Sequence, residues 1–154
     1  MSATEWLAGY SDQSTDELIA LETTHRIDSL VLAFEQGIDQ KRAVKGDRSL
    51  TAEEWIVLVV ESLETEVMNG GFGQYFCNSS SEHAPRVVDA LKSIGCPKSA
   101  SITEQAIAAL GTSDLTPQGI ESAVERGGEL LESALEECDE AFMEYPEDIA
   151  SHLF

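Results

Sequence analysis

The sequence is poor in basic residues. It has nine Lys and Arg against 29 Asp and Glu, which leaves a formal net charge of -20 on 154 residues. Proteins that bind nucleic acids by neutralising phosphates, or that bind anionic membrane surfaces, need an excess of basic side chains. The composition therefore argues against direct contact with nucleic acid or membrane, and it predicts cationic partners.

Long apolar runs are also missing. The longest, residues 55–60, has six residues, whereas a membrane span needs about 20. The first ten residues carry Glu5 and no base, unlike a signal peptide. The three cysteines, Cys77, Cys96 and Cys138, show no C-x-x-C spacing, and their odd number fits reduced thiols better than a disulfide framework. We expect a cytoplasmic protein.

Motifs that carry catalysis are absent. There is no G-x-S-x-G elbow, P-loop, H-E-x-x-H or paired C-x-x-C. The three histidines are scattered, and nothing resembles the calcium loop of an EF-hand. Gly70-Gly71-Phe72-Gly73 follows a predicted helix rather than a strand, which favours a helix end over a phosphate-binding loop. We predict no enzymatic activity, no catalytic residues, no metal site and no cofactor.

What the sequence does contain is enough apolar material to fold. Hydrophobic residues make up 42%, near the globular norm. The length fits a single domain over residues 1–154, and no segment alternates with the period of a strand. The prediction is an all-α fold: one compact bundle of about six helices, with a long acidic helix near the C-terminus.

Helix boundaries are marked by capping signals in the first half of the chain. The capping-box spacing of Ser14 to Glu17 predicts a helix from about Thr15 to Glu35. A second box, Thr51 to Glu54, predicts a helix that ends at Asn69-Gly70-Gly71. Between them we predict an exposed basic loop that contains Gly46 together with Lys41, Arg42, Lys45 and Arg48.

The second half is divided in the same way. Phe72, Tyr75 and Phe76 stand at i, i+3 and i+4, so one helical turn would point all three rings inward. Ser79 to Ser81 predict the start of a helix that ends at Gly95, and a further helix spans about Ser99 to Leu110. Thr116-Pro117 opens the acidic helix, and Pro146 starts a short terminal helix ending in His152, Leu153 and Phe154.

The acidic helix is the most informative segment. From Glu121 to Asp148 there are eleven acidic residues and one base, Arg126. At helical rise this is roughly one charge per 3.7 Å, close to the ~3.4 Å per phosphate of one DNA strand. Steps of three and four residues predict one acidic row of Glu121, Glu125, Glu129, Glu132, Glu136, Glu140 and Glu144. A buried seam is expected about 120° away, formed by Ile120, Val124, Gly127, Leu131, Ala134, Leu135, Cys138 and Phe142.

Three interpretations of this acidic row are open: a solvated face, a salt-adapted surface, or a binding surface for a basic partner. Neighbouring carboxylates about 6 Å apart repel by roughly 0.3 kcal/mol at physiological salt, so the row costs a few kcal/mol of stability. That cost favours a use for the charge. Gly127-Gly128 costs about 2 kcal/mol within a helix, so either the helix breaks there or another backbone packs closely against it. A break would shorten the row to Glu129–Glu144, about 23 Å.

One string of residues resembles a known family. N-G-G-F-G-Q-Y-F-C-N-S-S-S at 69–81, A-L-K-S-I-G at 90–95 and the closing L-E-E-C-D-E-A-F-M-E-Y are similar to the small acidic bacterial DNA mimics of the DNA mimic protein nineteen-like family, over about residues 54–154. The resemblance implies an all-helical, often dimeric domain whose acidic surface occupies the DNA-binding face of a helix-turn-helix regulator. We interpret the shared string as a structural motif, formed by Asn69, Gly70, Gly71, Phe72, Gln74, Tyr75, Phe76, Asn78 and Ser79.

The leading hypothesis is a non-enzymatic DNA mimic that regulates transcription by binding a basic DNA-binding protein. The acidic row forms the binding surface, and Glu61 and Glu64 extend it. One alternative is an immunity protein for a basic nuclease toxin. Others are a ligand-binding domain or enzyme with a pocket at Tyr75 and Asn78, and a structural domain that the acids keep soluble.

Overall fold

The computed structural model describes residues 5–8 and 10–153. The chain is all-α, as predicted, and the described residues contain no strand. A single backbone bridge joins Glu5 to His25. Within these described residues, seven α-helices follow in chain order: α1 Thr15–Ala20, α2 Ile27–Lys45, α3 Ala52–Cys77, α4 Ala84–Ser93, α5 Pro97–Ala109, α6 Pro117–Met143 and α7 Ile149–Leu153. Short 3-10 turns occupy Leu21–Thr23, Asp47–Ser49 and Ser79–His83.

The chain divides into two compact units. Residues 1–61 with 149–154 form the N-terminal unit, and residues 62–148 form the C-terminal unit. The prediction of a single domain over 1–154 stays a prediction. No helix in the described part of the chain is both long enough and apolar enough to cross a bilayer.

In the N-terminal unit, α2 packs against α1 and α7. The predicted helix from Thr15 to Glu35 is wrong, because the backbone leaves the helix between α1 and α2. Glu5 donates its N–H to the Thr24 carbonyl at 3.2 Å, and its own carbonyl accepts from the Arg26 N–H at 2.7 Å. These bonds with a distant segment replace the hydrogen bonds that a continuous helix would make.

The predicted basic loop is also wrong. Lys41, Arg42 and Lys45 lie in the last turns of α2, and only Arg48 falls outside it, in a 3-10 turn. Lys and Arg are good helix formers, and basic side chains near a helix C-terminus interact favourably with its dipole. Gly46 ends the helix instead, with a φ of 86° that an L side chain rarely adopts.

The start of α3 confirms the second capping box. Glu54 donates its backbone N–H to Thr51 Oγ1 at 3.1 Å, and Thr51 donates its N–H to Glu54 Oε1 at 3.0 Å. Each side chain satisfies a donor that the first turn of the helix leaves unpaired. The helix changes direction at Gly71, where φ is 81° and ψ is 178°, as the Asn69-Gly70-Gly71 signal predicts.

The C-terminal unit is organised around aromatic rings from α3 and α6. Phe72, Tyr75 and Phe76 are all buried, which confirms that this turn of helix points them inward. Phe72 makes an edge contact with Phe142, with ring centroids 5.7 Å apart, and Tyr75 makes another with Phe76 at 5.5 Å. α5 packs against both α4 and α6. Gly95 and Gly111, each with positive φ, follow α4 and α5 at the predicted helix ends.

The last helix is shorter than predicted. It begins at Ile149 rather than Pro146, after Tyr145 at a φ of 52°. His152 and Leu153 belong to it, and Phe154 lies outside the described residues.

Candidate protein-binding surface

The acidic helix α6 begins where the sequence predicts. Thr116 is its N-cap, and its Oγ1 accepts from the Gly119 N–H at 3.1 Å. Pro117 is the first helical residue, a position at which its missing N–H costs nothing. The Thr116 cap and Pro117 are therefore sufficient to set where the acidic helix begins.

A break divides α6 into two arms. Gly128 has a φ of 57° and a ψ of -150°, a conformation that is essentially restricted to glycine. A Cβ at this position would have no heavy atom within 4 Å. Gly128 is therefore needed for its backbone angles and not to make room for another chain segment. Of the two alternatives drawn from Gly127-Gly128, the break is the one observed.

All seven glutamates of the row are exposed, and none of their side chains forms an ion pair or a hydrogen bond within the described part of the chain. Glu121 and Glu125 belong to the first arm, and the rest begin at Glu129, beyond the break. The opposite side of α6 forms the seam, with buried Ile120, Ala123, Leu131, Leu135, Cys138 and Phe142. Val124, Gly127 and Ala134, also predicted in the seam, are half-buried.

The second arm, residues 129–143, carries the higher charge density. It has six acids and no base. The four row members within it, from Glu129 to Glu140, span about 17 Å at helical rise, and Glu144 at the C-cap extends this to about 23 Å. That length is roughly two thirds of a DNA turn.

Two acids between Glu121 and Asp148 point inward. Asp139 is half-buried, and its Oδ1 accepts from the Phe72 N–H at 2.7 Å, where α3 resumes after Gly71. Burial raises the pKa of Asp139, the bond from Phe72 opposes the rise, and Glu136 adds to it. Glu147 Oε1 accepts from the Ser99 N–H at 2.8 Å, in the first turn of α5. Both carboxylates satisfy helix N-termini, so neither adds to the exposed row.

Glu61 and Glu64 do not extend the row, which corrects the sequence prediction. Glu61 is only 7% exposed. Glu64 is half-buried, and its Oε1 accepts a hydrogen bond from the Tyr145 hydroxyl at 2.9 Å. Neither carboxylate is fully open to solvent, because the apolar stripe of α3 is wide and leaves few of its positions exposed.

The N-G-G-F string, residues 69–72, forms the bend of α3 at Gly71, and we call it the joint. A Cβ on Gly71 would lie 2.4 Å from Asp139 Oδ2, and one on Gly70 would clash with the Gln74 side chain. Glu66, which no sequence pattern indicated, accepts hydrogen bonds from side chains that follow the joint. Its Oε2 accepts from Gln74 Nε2 at 2.7 Å and from Asn78 Nδ2 at 3.0 Å.

The serines after this joint do not cap α4 as predicted. Asn78 precedes the 3-10 turn Ser79–His83, which contains all three serines, and the residue before α4, His83, makes no side-chain cap bond. Ser80 is buried, and its hydroxyl donates to the Tyr75 carbonyl at 2.9 Å. Asn69 and Ser79 are exposed at either end of the string.

The side chains of this joint do not form a ligand pocket. Tyr75 is 0% exposed, and burial raises the pKa of its hydroxyl above the usual range. Rings of Phe72, Phe76 and Phe142 fill the surrounding core, and Asn78 is exposed and bonded to Glu66. A filled core at this point weakens the hypothesis of a ligand site beside Tyr75 and Asn78.

Thiol and metal chemistry receive no support from the described residues. Burial raises the pKa of Cys96 to about 11, and the nearby Glu147 carboxylate adds to the rise, whereas a reactive thiol has a lowered pKa. Cys138 is buried too, and Cys77 is exposed. No group of three His, Cys, Asp or Glu side chains within residues 5–8 and 10–153 is arranged to hold a metal ion.

Comparison with known proteins gives one family. A family model described as DMP19-like protein matches residues 48–154, which is more than two thirds of the chain. The match begins just before the Thr51 capping box, and it includes the N-G-G-F joint and the whole of α6. It confirms the resemblance seen over residues 54–154. No curated protein and no solved structure matches the chain.

Proposed function

Since the chain belongs to the DMP19-like protein family, we propose that it is a non-enzymatic DNA mimic of the cytoplasm. Its acidic row binds the DNA-binding face of a basic protein, and a helix-turn-helix transcriptional regulator is the class of partner that the family resemblance favours. The observation that carries the proposal is the state of the seven row glutamates: they are exposed and without a cation in the described part of the chain.

The energetics support a use for this charge. Each pair of adjacent carboxylates on one helix face costs a few tenths of a kcal/mol, and nothing in the described chain offsets that cost. A basic partner would convert the repulsion into attraction. Association of this kind is fast and falls steeply with ionic strength, because salt screens charges beyond about 8 Å at 0.15 M.

The break at Gly128 limits the surface that one chain presents. The longer straight stretch of the row, Glu129 to Glu144, matches about two thirds of a DNA turn. A second copy of the chain would supply further charge, so a homodimer is part of the proposal. DNA-binding proteins that recognise two half-sites contact DNA at points about one helical turn, or roughly 34 Å, apart. That distance is longer than the straight part of the row in one chain.

The test is affinity capture at low salt, with competition by duplex DNA. The test variant changes Glu129, Glu132 and Glu136 to Gln, which removes three charges from the second arm. The control changes Glu17, Glu22 and Glu104 to Gln, three exposed acids outside α6 with the same effect on net charge. Capture by the wild type and the control, but not by the row variant, is the expected result.

Captured proteins should bind DNA, and duplex DNA should displace them. With a partner in hand, the row variant should lose affinity by about thirtyfold, or ~2 kcal/mol, at low salt. The proposal fails if duplex DNA does not compete, or if the control variant weakens capture as much as the row variant. A captured nuclease whose gene lies beside this one would instead indicate an immunity protein.

A further inference from the structure

The N-terminal unit contains a cleft that the acidic helix does not involve. It lies between α1, α2 and the start of α3, with a volume of about 620 Å³. Small-molecule sites typically have roughly 300 to 1,000 Å³. Most of its lining precedes residue 48, so it lies mainly in the part of the chain outside the family match. The family match therefore assigns no role to most residues of the cleft.

The floor and one wall of the cleft are apolar. Leu18 and Ile38 are buried at the bottom, and Phe34 and Val57 are half-buried beside them. Tyr10 forms part of the wall, because its ring lies 3.1 Å from the position that a Cβ on Gly37 would occupy. This surface suits an aliphatic or aromatic group of a ligand.

Three charged side chains line the cleft, and two of them are already paired. Lys41 Nζ lies 2.8 Å from Glu54 Oε1, and the same oxygen accepts from the Thr51 N–H. The charges of Lys41 and Glu54 cancel, so the exposed Glu53 leaves the lining with one net negative charge. The net charge of -20 on the whole chain adds to this field.

We propose that this cleft binds a small amphipathic amine. Its apolar body lies on Leu18, Ile38 and Val57, and its ammonium group faces Glu53. A carboxylate ligand would have to break the pair of Lys41 with Glu54 and would then be repelled by two glutamates.

The test uses two probes of matched size and opposite charge, phenylbutylamine and phenylbutanoate. Each is titrated into the full-length protein, and backbone amide shifts are followed by NMR. The amine should give saturable shifts at residues of α2 and at the start of α3, around Gly37 and Thr51. The acid should bind at least tenfold more weakly.

Two variants and one control locate the site. Glu53→Gln should weaken amine binding about threefold to fivefold, as expected for one partly exposed charge. Val57→Phe should fill the cleft and abolish saturable binding, and its melting temperature shows whether it folds. Glu104→Gln, an exposed acid on α5, should leave binding unchanged.

Three outcomes would overturn the proposal. One is equal or tighter binding of phenylbutanoate. The second is amine-induced shifts at the glutamates of α6 rather than in the cleft, which would indicate loose counter-ion binding. The third is amine binding that Glu53→Gln and Glu104→Gln weaken equally. None of these bears on the binding of a DNA-binding protein by α6, so the two proposals fail independently.

Discussion

The inner and outer faces of α6 use their carboxylates in opposite ways. On the inner face, Asp139 is half-buried and accepts a hydrogen bond from the Phe72 N–H. On the outer face, Glu129, Glu132 and Glu136 are exposed and have no partner in the described chain. Within one helix, an acidic residue on the inner face therefore stabilises the bend of α3, whereas the acidic residues on the outer face repel one another and destabilise α6.

Two basic side chains of α2, Lys41 and Arg42, follow the pattern of the inner face. Lys41 pairs with Glu54, and Arg42 Nε lies 2.7 Å from Asp47 Oδ1 while its guanidinium stacks 5.1 Å above the Trp55 ring. Lys41 and Arg42 therefore interact with acidic and aromatic side chains of the N-terminal unit. Structural charges therefore differ from those that remain available to a partner in being paired, and not in how many charged residues their helix contains.

The largest expected effect is at the inner face. Gly71→Ala should lower the free energy of unfolding by about 4 kcal/mol. The positive φ at this position strains any L side chain, and the added Cβ would clash with the Asp139 carboxylate, which the bond from the Phe72 N–H holds in place. Urea unfolding measures this. Gly128→Ala is the matched control: its φ is positive too, but its Cβ meets nothing, so about 2 kcal/mol is expected. Equal losses would show that the contact with Asp139 contributes nothing.

Asp139 itself should come next. Asp139→Ala leaves the Phe72 N–H without an acceptor and should cost about 2 kcal/mol, whereas Asp139→Asn keeps an acceptor oxygen and should cost less. Burial raises the pKa of Asp139, so the folded chain holds this proton more tightly than the unfolded chain. The stability of the wild type relative to Asp139→Asn should therefore increase as the pH falls through the raised pKa. A difference that is constant from pH 7 to pH 3 would contradict this.

The pair at the start of α3 tests the same idea in the N-terminal unit. Glu54→Gln should cost about 1 kcal/mol at pH 7, because it weakens the contacts with Lys41 and Thr51. Burial alone raises the pKa of Glu54, but the bonds from Lys41 and Thr51 lower it overall. Its contribution is thus present above the usual value of 4.5 and is lost as the pH falls through the lowered pKa. Unfolding at pH 7 and pH 3 measures the loss, and a cost that persists at pH 3 would rule out the ionic contribution.

The smallest effect is expected on the outer face, and its sign is reversed. Glu132→Gln with Glu136→Gln removes a like-charge pair one turn apart and should raise the free energy of unfolding by about 0.5 kcal/mol at low salt. The gain should disappear in roughly 0.5 M sodium chloride, where the Debye length is short. Destabilisation by the double variant would mean that these carboxylates have a structural role.

Local signals predicted much of the fold. The two capping boxes, Thr116-Pro117 and the glycines at 71 and 95 act within one helical turn, so they can be read without the tertiary structure. The break at 24–26 could not be predicted, because it depends on hydrogen bonds to Glu5, about twenty residues away. Lys41 and Arg42 were misplaced for a similar reason: a basic cluster beside a glycine suggests a loop until its acidic partners are known.

For the candidate surface, helical spacing alone placed the row of glutamates on the side of α6 opposite its apolar seam. The roles of Asp139 on α6 and Glu66 on α3 were missed, since neither differs from the other acids in the sequence. Their hydrogen-bond partners lie 67 residues away for Asp139, and 8 and 12 residues away for Glu66. No pattern in the sequence indicates that Asp139 accepts from the Phe72 N–H, because the two residues are 67 positions apart.

The all-α class, the family, the acidic face of α6 and some of the helix ends, such as those at Gly71, Gly95 and Thr116, can be predicted from the sequence, because each depends on local periodicity, on short-range capping or on an uninterrupted string of residues. The tertiary structure was needed to show which carboxylates are buried, that Gly128 breaks the row, and that Glu61 and Glu64 do not belong to it. Those outcomes depend on contacts between residues distant in the chain, where burial and hydrogen bonding compete with the charge pattern.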